Sequence, residues 1–387
     1  MSIATAIPRT EPLTPTLDVT CRRGAVDVID LVEDEWRSLA ENAVDDQPFF
    51  RPEWVRAHLH AFAPGGRLVL IEVRSHGELC LILPLLEERG TFSKIPIRKL
   101  RAPVSMQAGR FDAMRRFGPE GERAIDAAAK YLIQLEGWDL LQLCNTPQRS
   151  TIERIVAAMR TKGIRSLRTN DQPNPIVVVP EDTAQLEAMP PNAKLRSQLR
   201  RVREKLALRG SLRFYRIANA DSTALARFYE LEASGWKGRA GSAILCKGTR
   251  AFYDEMAQQA ARNGYFSLFM LECGAELVAA HYSFTHRDRC YSPIVTYNEA
   301  FRQFAPGHLI IAHILAYCAS HGIRCFDITG QDQSWKMKWT SQTRGMHNYF
   351  LFKGPIGQLA YRVGMSLRTV TRLIHSAHDE SLEMDVN

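Results

Sequence analysis

The sequence has no Cys-x-x-Cys pair, no apolar run near the roughly 18 residues a membrane span requires, and no basic start leading into an apolar block. It also lacks H-E-x-x-H, G-x-S-x-G and G-x-x-x-x-G-K-[ST], which removes the zinc-peptidase, α/β-hydrolase and P-loop readings. The longest apolar stretch, Leu309 to Ala319, carries His313 and is too short to span a bilayer. Eight cysteines are scattered at 21, 80, 144, 246, 273, 290, 318 and 325, mostly inside apolar stretches. That pattern predicts buried free thiols in a reducing, cytoplasmic setting rather than a disulfide framework, and no metal site is expected.

What is present is an ordinary globular balance: 387 residues, 45% hydrophobic and 24% charged. The length predicts two domains, each able to bury a core. The net charge of +8 is unevenly placed. Between Lys194 and Arg216 stand nine basic residues and one acid, Glu204. Such a block suits a polyanion, whether a nucleotide cofactor, a phosphorylated substrate, RNA or an anionic membrane face; it equally suits a solvated helix face. Aromatic interleaving, the mark of single-stranded nucleic-acid binding, is limited to Phe214 and Tyr215.

Periodicity outlines the elements. Residues 26–31 (VDVIDL) read as a strand, Glu33 to Ala40 and Pro52 to Phe62 as helices, and Leu68 to Val73 and Leu79 to Leu86 as a hairpin pair. A helix over Glu122 to Leu135, a strand at Leu140 to Cys144, a helix over Thr151 to Lys162 and a strand at Ile176 to Val179 close the first unit. The second unit runs through a basic helix, Lys194 to Leu208, a strand, two helices and three strands, Tyr265 to Glu272, Glu276 to Thr285 and Arg289 to Tyr297. A helix apolar nearly all round follows, Gly307 to His321, then strands at Ile323 to Ile328 and Tyr349 to Lys353. The boundaries that follow are a leader at 1–20, a first domain at 21–180, a proline-containing linker at 181–192, a second domain at 193–356 and a helical tail at 357–387. The ligand cleft is expected between the domains.

Several segments resemble the GNAT acyltransferases, in particular the double-domain branch of CelD-like acetyltransferases and Fem-type aminoacyltransferases. These are EWRSLAENAVDDQPFFRPEWVRAHLHAF, ELCLILPLL, NAKLRSQLRRVREKLALRG and TYNEAFRQFAPGHLIIAHILAYCASHGIRCFDITGQDQSWKMKWT. The resemblance covers roughly residues 25–355. It implies a mixed α/β fold of two tandem GNAT-like domains, each a mostly antiparallel sheet flanked by helices. Two departures stand out: the aromatic-lysine pair is Trp335-Lys336, and the usual glycine-rich phosphate loop is reduced to Ala305-Pro306-Gly307.

Candidate site residues come from both kinds of reading. Pro306, Gly307 and His308 open the apolar helix, where orphaned N–H groups and the helix dipole favour an anion; proline fits the first turn and glycine permits close approach. In GNAT enzymes this place holds the coenzyme A pyrophosphate, and Gln303 and Arg302 flank it. Trp236 and Lys237 lie in a Gly-rich loop that could clamp a substrate. His281, mid-strand, has the side chain whose pKa suits a general base, although a buried structural histidine is the commoner case. Tyr297 and Glu299 are its rivals, and the resemblance gives Tyr297 a place beside the leaving thiolate. Asp327 ends a buried strand and must be paired or solvated; Lys336 and Lys338 are its candidate partners. By resemblance, Lys336 contacts a substrate phosphate or the transferring carbonyl, and Arg196 and Arg200, at i, i+4, match a substrate-phosphate position; Trp335 accompanies Lys336.

Together these readings predict an acyltransferase that moves an acyl group from acetyl-CoA or another acyl-CoA to an amine or hydroxyl. The acceptor is a small molecule, sugar or peptide of cell-envelope or polysaccharide metabolism. Transfer is expected in a ternary complex, with backbone N–H groups of the strand before the Pro-Gly helix holding the oxyanion. The alternative within the fold takes aminoacyl-tRNA as donor to a peptidoglycan precursor. A third reading is a non-catalytic nucleic-acid-binding protein using the helix at 194–209.

Overall fold

A computed structural model describes residues 16–105, 109–169, 173–241, 243–245 and 249–366. In the first half, β1 (Leu17–Gly24) is followed by α1 (Glu33–Glu41), α2 (Pro52–Phe62), β2 (Arg67–Ser75), β3 (Glu78–Phe92), β4 (Ile95–Arg101) and the short β5 (Met114–Arg115). Then come α3 (Pro119–Gln134), β6 (Leu140–Pro147), α4 (Thr151–Thr161), β7 (Arg165–Thr169) and β8 (Asn174–Val178). The second half holds α5 (Thr183–Glu187), α6 (Ala193–Ala207), β9 (Leu212–Ile217), α7 (Ser222–Ser234), α8 (Trp236–Arg239), α9 (Thr249–Arg262), β10 (Phe266–Cys273), β11 (Glu276–His286) and β12 (Arg289–Tyr297). It ends with α10 (Pro306–Ser320), β13 (Cys325–Asp327), β14 (Thr343–Arg344), β15 (Met346–Phe352) and a helix described over 354–366.

Local chemistry explains the boundaries. Ser150, Asn192 and Asp221 cap α4, α6 and α7 by accepting the N–H of Glu153, Leu195 and Ala224. The β2–β3 hairpin turns at His76 and Gly77, both at positive φ, as a tight two-residue turn requires. Ala305, before Pro306, is also driven out of the right-handed helical region and sits at φ +49°. The entry to α10 is thus a strained corner.

The two sheets have one order. The first runs β1-β2-β3-β4-β6-β15-β7 and the second β9-β10-β11-β12-β13-β8-β14. In each, four antiparallel strands meet a fifth in parallel, β4 with β6 and β12 with β13, over three residue pairs. In each the sixth place is taken by a strand from the other half: β15 enters the first sheet and β8 the second. The fold is therefore mixed α/β, with two mostly antiparallel sheets of one strand order flanked by helices. The strand at 176–179, expected to close the first unit, lies in the second sheet, and the strand at 349–353 lies in the first. Periodicity predicts a strand but carries no information about its partner.

Other readings change locally. Residues 26–29 form a 3-10 turn in which adjacent Val28 and Ile29 are both buried, which an alternating strand cannot do. The strand lies earlier, at β1, partly within the expected leader. The interval 181–192 contains α5, and the tail helix begins at 354 rather than 357. Residues 1–15 and 367–387 of the leader and tail, and Cys246, lie outside the described residues. The seven described cysteines are free thiols, four of them buried.

A continuous apolar core joins the halves. Trp54 of α2 packs edge-on against Phe252 of α9 and Phe284 of β11, and Phe49 against Tyr291 of β12. Asp46, with its side chain fully buried, bonds to Arg51 of its own half and to His286 and Arg287 of the other.

Candidate active site

The helix α10 follows β12 in the chain and packs on the second sheet, mainly over β10, β11 and β12, and its N-terminus opens where β12 and β13 part. Their pairing covers only Arg289–Tyr291 against Cys325–Asp327. Beyond it, Ser292 and Pro293 form a bulge opposite Ser283, where proline has no N–H to give the ladder. Asn298 donates to the Val278 carbonyl, so by alternation Thr296 and Ile294 also face β11. Val295 and Tyr297 then turn their peptide groups the other way, into the gap left by β13. Lys237 Nζ, 3.1 Å from the Val295 carbonyl, lies on that side.

A cavity of about 870 Å³ fills the gap. Its walls are Ser292 to Tyr297 of β12, Pro306 to His308 of α10, Ile328 to Gly330, Trp236 and Lys237 of α8, and Trp335 and Lys336. Leu195 and Gln198 of α6, Glu232 of α7, Glu299, Arg302 and Lys338 also line it. All of these belong to the second half, so the cavity lies within that half rather than between the two.

The charges are specific. Glu232, 2% exposed, accepts the Ile244 N–H and lies 3.3 Å from Lys237 Nζ. Burial lowers the pKa of Lys237 against the opposing pull of Glu232. Lys336 is nearly buried, donates to the Thr329 carbonyl at 2.6 Å, and sits 5.5 Å from the Trp335 ring centre. Burial pulls its pKa down to about 8, with Asp327 and Asp332 opposing and Lys237 adding to the fall. Three lysines, Lys237, Lys336 and Lys338, thus line a half-dry cavity, and Lys237 and Lys336 repel each other. His308 is held by Trp339, whose indole N–H donates to Nδ1 at 2.9 Å, and burial lowers its pKa to about 4. Gly307 is open: a Cβ there would meet only Tyr297 Cδ1, at 3.8 Å.

Of the residues singled out in the sequence, Tyr297, Pro306, Gly307, His308, Trp236, Lys237, Trp335 and Lys336 meet around this one cavity. The rest do not. His281 is completely buried beneath the floor, its Nδ1 2.7 Å from Ser292 Oγ. Burial and the Lys237 charge lower its pKa to about 3, so it is no base poised near 7; it orients the Ser292 hydroxyl. Gln303 is exposed, and its neighbour Arg302 lines the wall instead. Arg196 donates to the carbonyls of Ala188, Pro190 and Pro191 and so ties down the linker. Arg200 is exposed on α6, outside the cavity lining. Glu299 accepts the Trp236 N–H and pairs with Arg239. Asp327 pairs with Arg110 rather than with Lys336 or Lys338. Glu232, Ser292 and Thr329 went unread in the sequence; each lies in an apolar or ordinary loop context with no motif around it. Among the described residues no group of three or more His, Cys, Asp or Glu could hold a metal, and no helix is long and apolar enough to cross a membrane.

Residues 193–337 match the family described as the acetyltransferase (GNAT) domain. Over most of its length the chain shares its fold with FemX, at 14% identity and a TM-score of 0.58, covering 86% of this chain and 98% of that one. It is similar to a conserved protein of unknown function from Bacteroides thetaiotaomicron, at 8% identity and a TM-score of 0.55, covering 84% and 97%. It is also similar to the C-terminal domain of a putative lysylphosphatidylglycerol synthetase from Agrobacterium fabrum, at 11% identity and a TM-score of 0.51, covering 87% and 96%. No curated protein matches the sequence. The second half therefore carries an acetyltransferase (GNAT) domain, and the chain over most of its length has the fold of FemX.

Proposed function

We propose that this protein transfers an acyl group from an acyl-CoA thioester to an amine or hydroxyl acceptor inside the second-half cavity. The observation that carries the reading is the meeting of three features in one space: the N-terminus of α10 with Gly307 open, the outward peptide groups of Val295 and Tyr297, and the Lys237 and Lys336 pair. The orphaned N–H groups of α10 would take the donor's pyrophosphate. The Val295 N–H would meet the thioester oxygen as it gains negative charge, a role worth roughly 3–4 kcal/mol in comparable sites. Attack by the acceptor forms the new bond to the carbonyl carbon and expels the thiolate, beside which Tyr297 stands as proton donor. The acceptor's proton would leave to water or to Glu232.

The first half supports this division of labour. Its equivalent helix, α3, opens with Glu120 and Glu122, and a Cβ on Gly121 would come within 1.9 Å of the Arg116 carbonyl oxygen. That helix end is acidic and closed by backbone, which disfavours an anion. The similarity in fold to FemX and to a putative lysylphosphatidylglycerol synthetase supports an acceptor in the cell envelope, a sugar, peptide or lipid headgroup, handled from the cytoplasm.

One observation favours the second reading, an aminoacyl-tRNA donor. Lys194, Arg200, Arg201, Arg203, Lys205 and Arg209 are exposed along α6, whose buried side includes Leu195 at the cavity wall. A thermal-shift series separates the two, because a ligand that binds only the folded state raises the melting temperature. Acetyl-CoA or a longer acyl-CoA is expected to raise it by several degrees at a hundredfold excess over its dissociation constant, about 2.7 kcal/mol of stabilisation. A shift with charged tRNA and none with any acyl-CoA would overturn the first reading.

A further inference from the structure

No first-half side chain lines the cavity among the described residues, yet two, Arg110 and Asn174, reach the turn that forms its wall. Asp327 ends β13 and is 1% exposed. A carboxylate so placed needs a cation or several donors. It finds them across the junction. Arg110, in the segment between β4 and β5 and itself 2% exposed, sets Nη2 at 2.7 Å from both Asp327 oxygens. Arg110 is fixed in turn by Gln47 Oε1 at 3.1 Å and by the rings of Phe49 and Tyr291, centred 5.3 and 5.6 Å from its guanidinium carbon.

From Asp327 the contacts lead directly into the cavity. Its Oδ1 accepts the Asn174 amide at 2.8 Å and the Thr329 N–H at 3.0 Å. Thr329 stands at φ +47°, a conformation a β-branched residue holds only when its surroundings impose it. The Thr329 hydroxyl donates to the Ser292 carbonyl at 3.0 Å, and the Thr329 carbonyl accepts Lys336 Nζ at 2.6 Å. Ser292, Thr329 and Lys336 all line the cavity. The series Arg110, Asp327, Thr329, Lys336 is unbroken, and its first member belongs to the other half of the chain.

We infer that Arg110 is a positioning residue for the acyl-transfer site: by clamping Asp327 it fixes the 327–330 turn and holds Lys336 Nζ in the cavity. The inference rests on the reading of that cavity as the transfer site. It also gives the first half a task in the chemistry although it lends the cavity no side chain. The charged groups facing Lys336 are Asp327 on β13, Asp332 on its own loop and Lys237 on α8. With Arg110 neutralised, the Asp327 charge is left to Lys336, which is drawn towards it and away from the cavity.

The test uses the full chain and no ligand. Lys336 is titrated by competitive acetylation with acetic anhydride from about pH 6 to pH 10, with the modified peptide read by mass spectrometry. The variants are Arg110→Met, Arg110→Gln and Arg110→Gln with Asp327→Asn. Glutamine leaves Asp327 a hydrogen-bond donor, so this variant keeps the test open if Arg110→Met fails to fold. The midpoint for Lys336 is expected to rise by about one pH unit in each folded single variant. In the double variant it should return to the wild-type value or below. A midpoint unchanged in a folded single variant overturns the inference, as does one that stays raised in the double variant, since Asp327 would then not be the link. Failure of the wild type to bind coenzyme A in calorimetry would count against the transfer reading alone, because the labelling depends on no ligand.

Discussion

The indole N–H of Trp339 donates to Nδ1 of His308 across 2.9 Å. Indole is a donor only, so Nδ1 is the acceptor and the ring hydrogen sits on Nε2. The helix that would bind the donor's phosphates therefore begins with a neutral imidazole of set tautomer, not a cation. Nitrogen NMR of His308 is expected to report the Nε2–H tautomer at pH 7 and protonation only near pH 4, the value to which burial lowers it. Trp339→Phe removes the donor, and a mixture of tautomers with coenzyme A affinity lowered by about threefold to tenfold should follow. An unaltered tautomer would separate Trp339 from the site.

Gly307 separates ligand binding from folding. Its Cβ position is open, so Gly307→Ala should fold and gain about 0.4–1 kcal/mol from reduced freedom of the unfolded chain. Gly307→Val should fold as well but crowd the helix N-terminus and weaken coenzyme A binding by tenfold or more, about 1.4 kcal/mol. Calorimetry with parallel thermal melts checks both. Equal affinity in the valine variant would move the anion site elsewhere.

Two buried histidines, His58 and His281, and the half-buried His308 make the fold sensitive to acid. Burial lowers His58 to about 4, His281 to about 3 and His308 to about 4. Each takes up a proton in the unfolded chain near 6.5 but not in the folded one, so stability is lost as pH falls from about 6.5 towards 4. Denaturant midpoints measured across that range should decline, at up to about 1.4 kcal/mol per pH unit for each histidine. His281→Phe should flatten the decline. In any assay of the protein, no acid limb near pH 6–7 should disappear with His281.

Asp46 acts lower on the scale. Burial alone would raise its pKa, but hydrogen bonds from His286 and Arg51, with the charge of Arg51, outweigh burial and hold it well below the usual carboxylate range. Its contribution is complete above about pH 4 and is lost as pH falls further. Asp46→Asn should destabilise the protein by about 3–5 kcal/mol at pH 7, leaving Arg51 and Arg287 around a neutral amide. The gap to wild type should narrow below pH 4. A constant gap would mean that the side chain packs but carries no charge linkage.

Much of the architecture was legible because it is local. Helix and hairpin limits follow from periodicity and caps: Pro52–Phe62 and Arg289–Tyr297 were read to the residue. Gly307, His308, Tyr297 and Lys237 stood out because helix starts, strand ends and Gly-rich loops are local signals, Lys336 stood out through the family resemblance, and these four segments converge. The errors share one cause. His281 carries the same letter whether it faces a cavity or a dry core, and only the pleat and the neighbouring sheet face decide. Arg196 looks like any free cation until the linker folds back over it.

By itself the sequence determined the element order and the two-unit plan, since each depends on residues a few positions apart. The tertiary structure alone decided that β8 and β15 change places between the sheets, that the cavity lies inside one half, and that Asp327 takes its partner from Arg110, 217 positions away. The reason is physical. Pairing of a strand edge or of a buried charge is settled by which complementary group the packed chain brings within about 3 Å, and that choice depends on the whole fold rather than on neighbours in sequence.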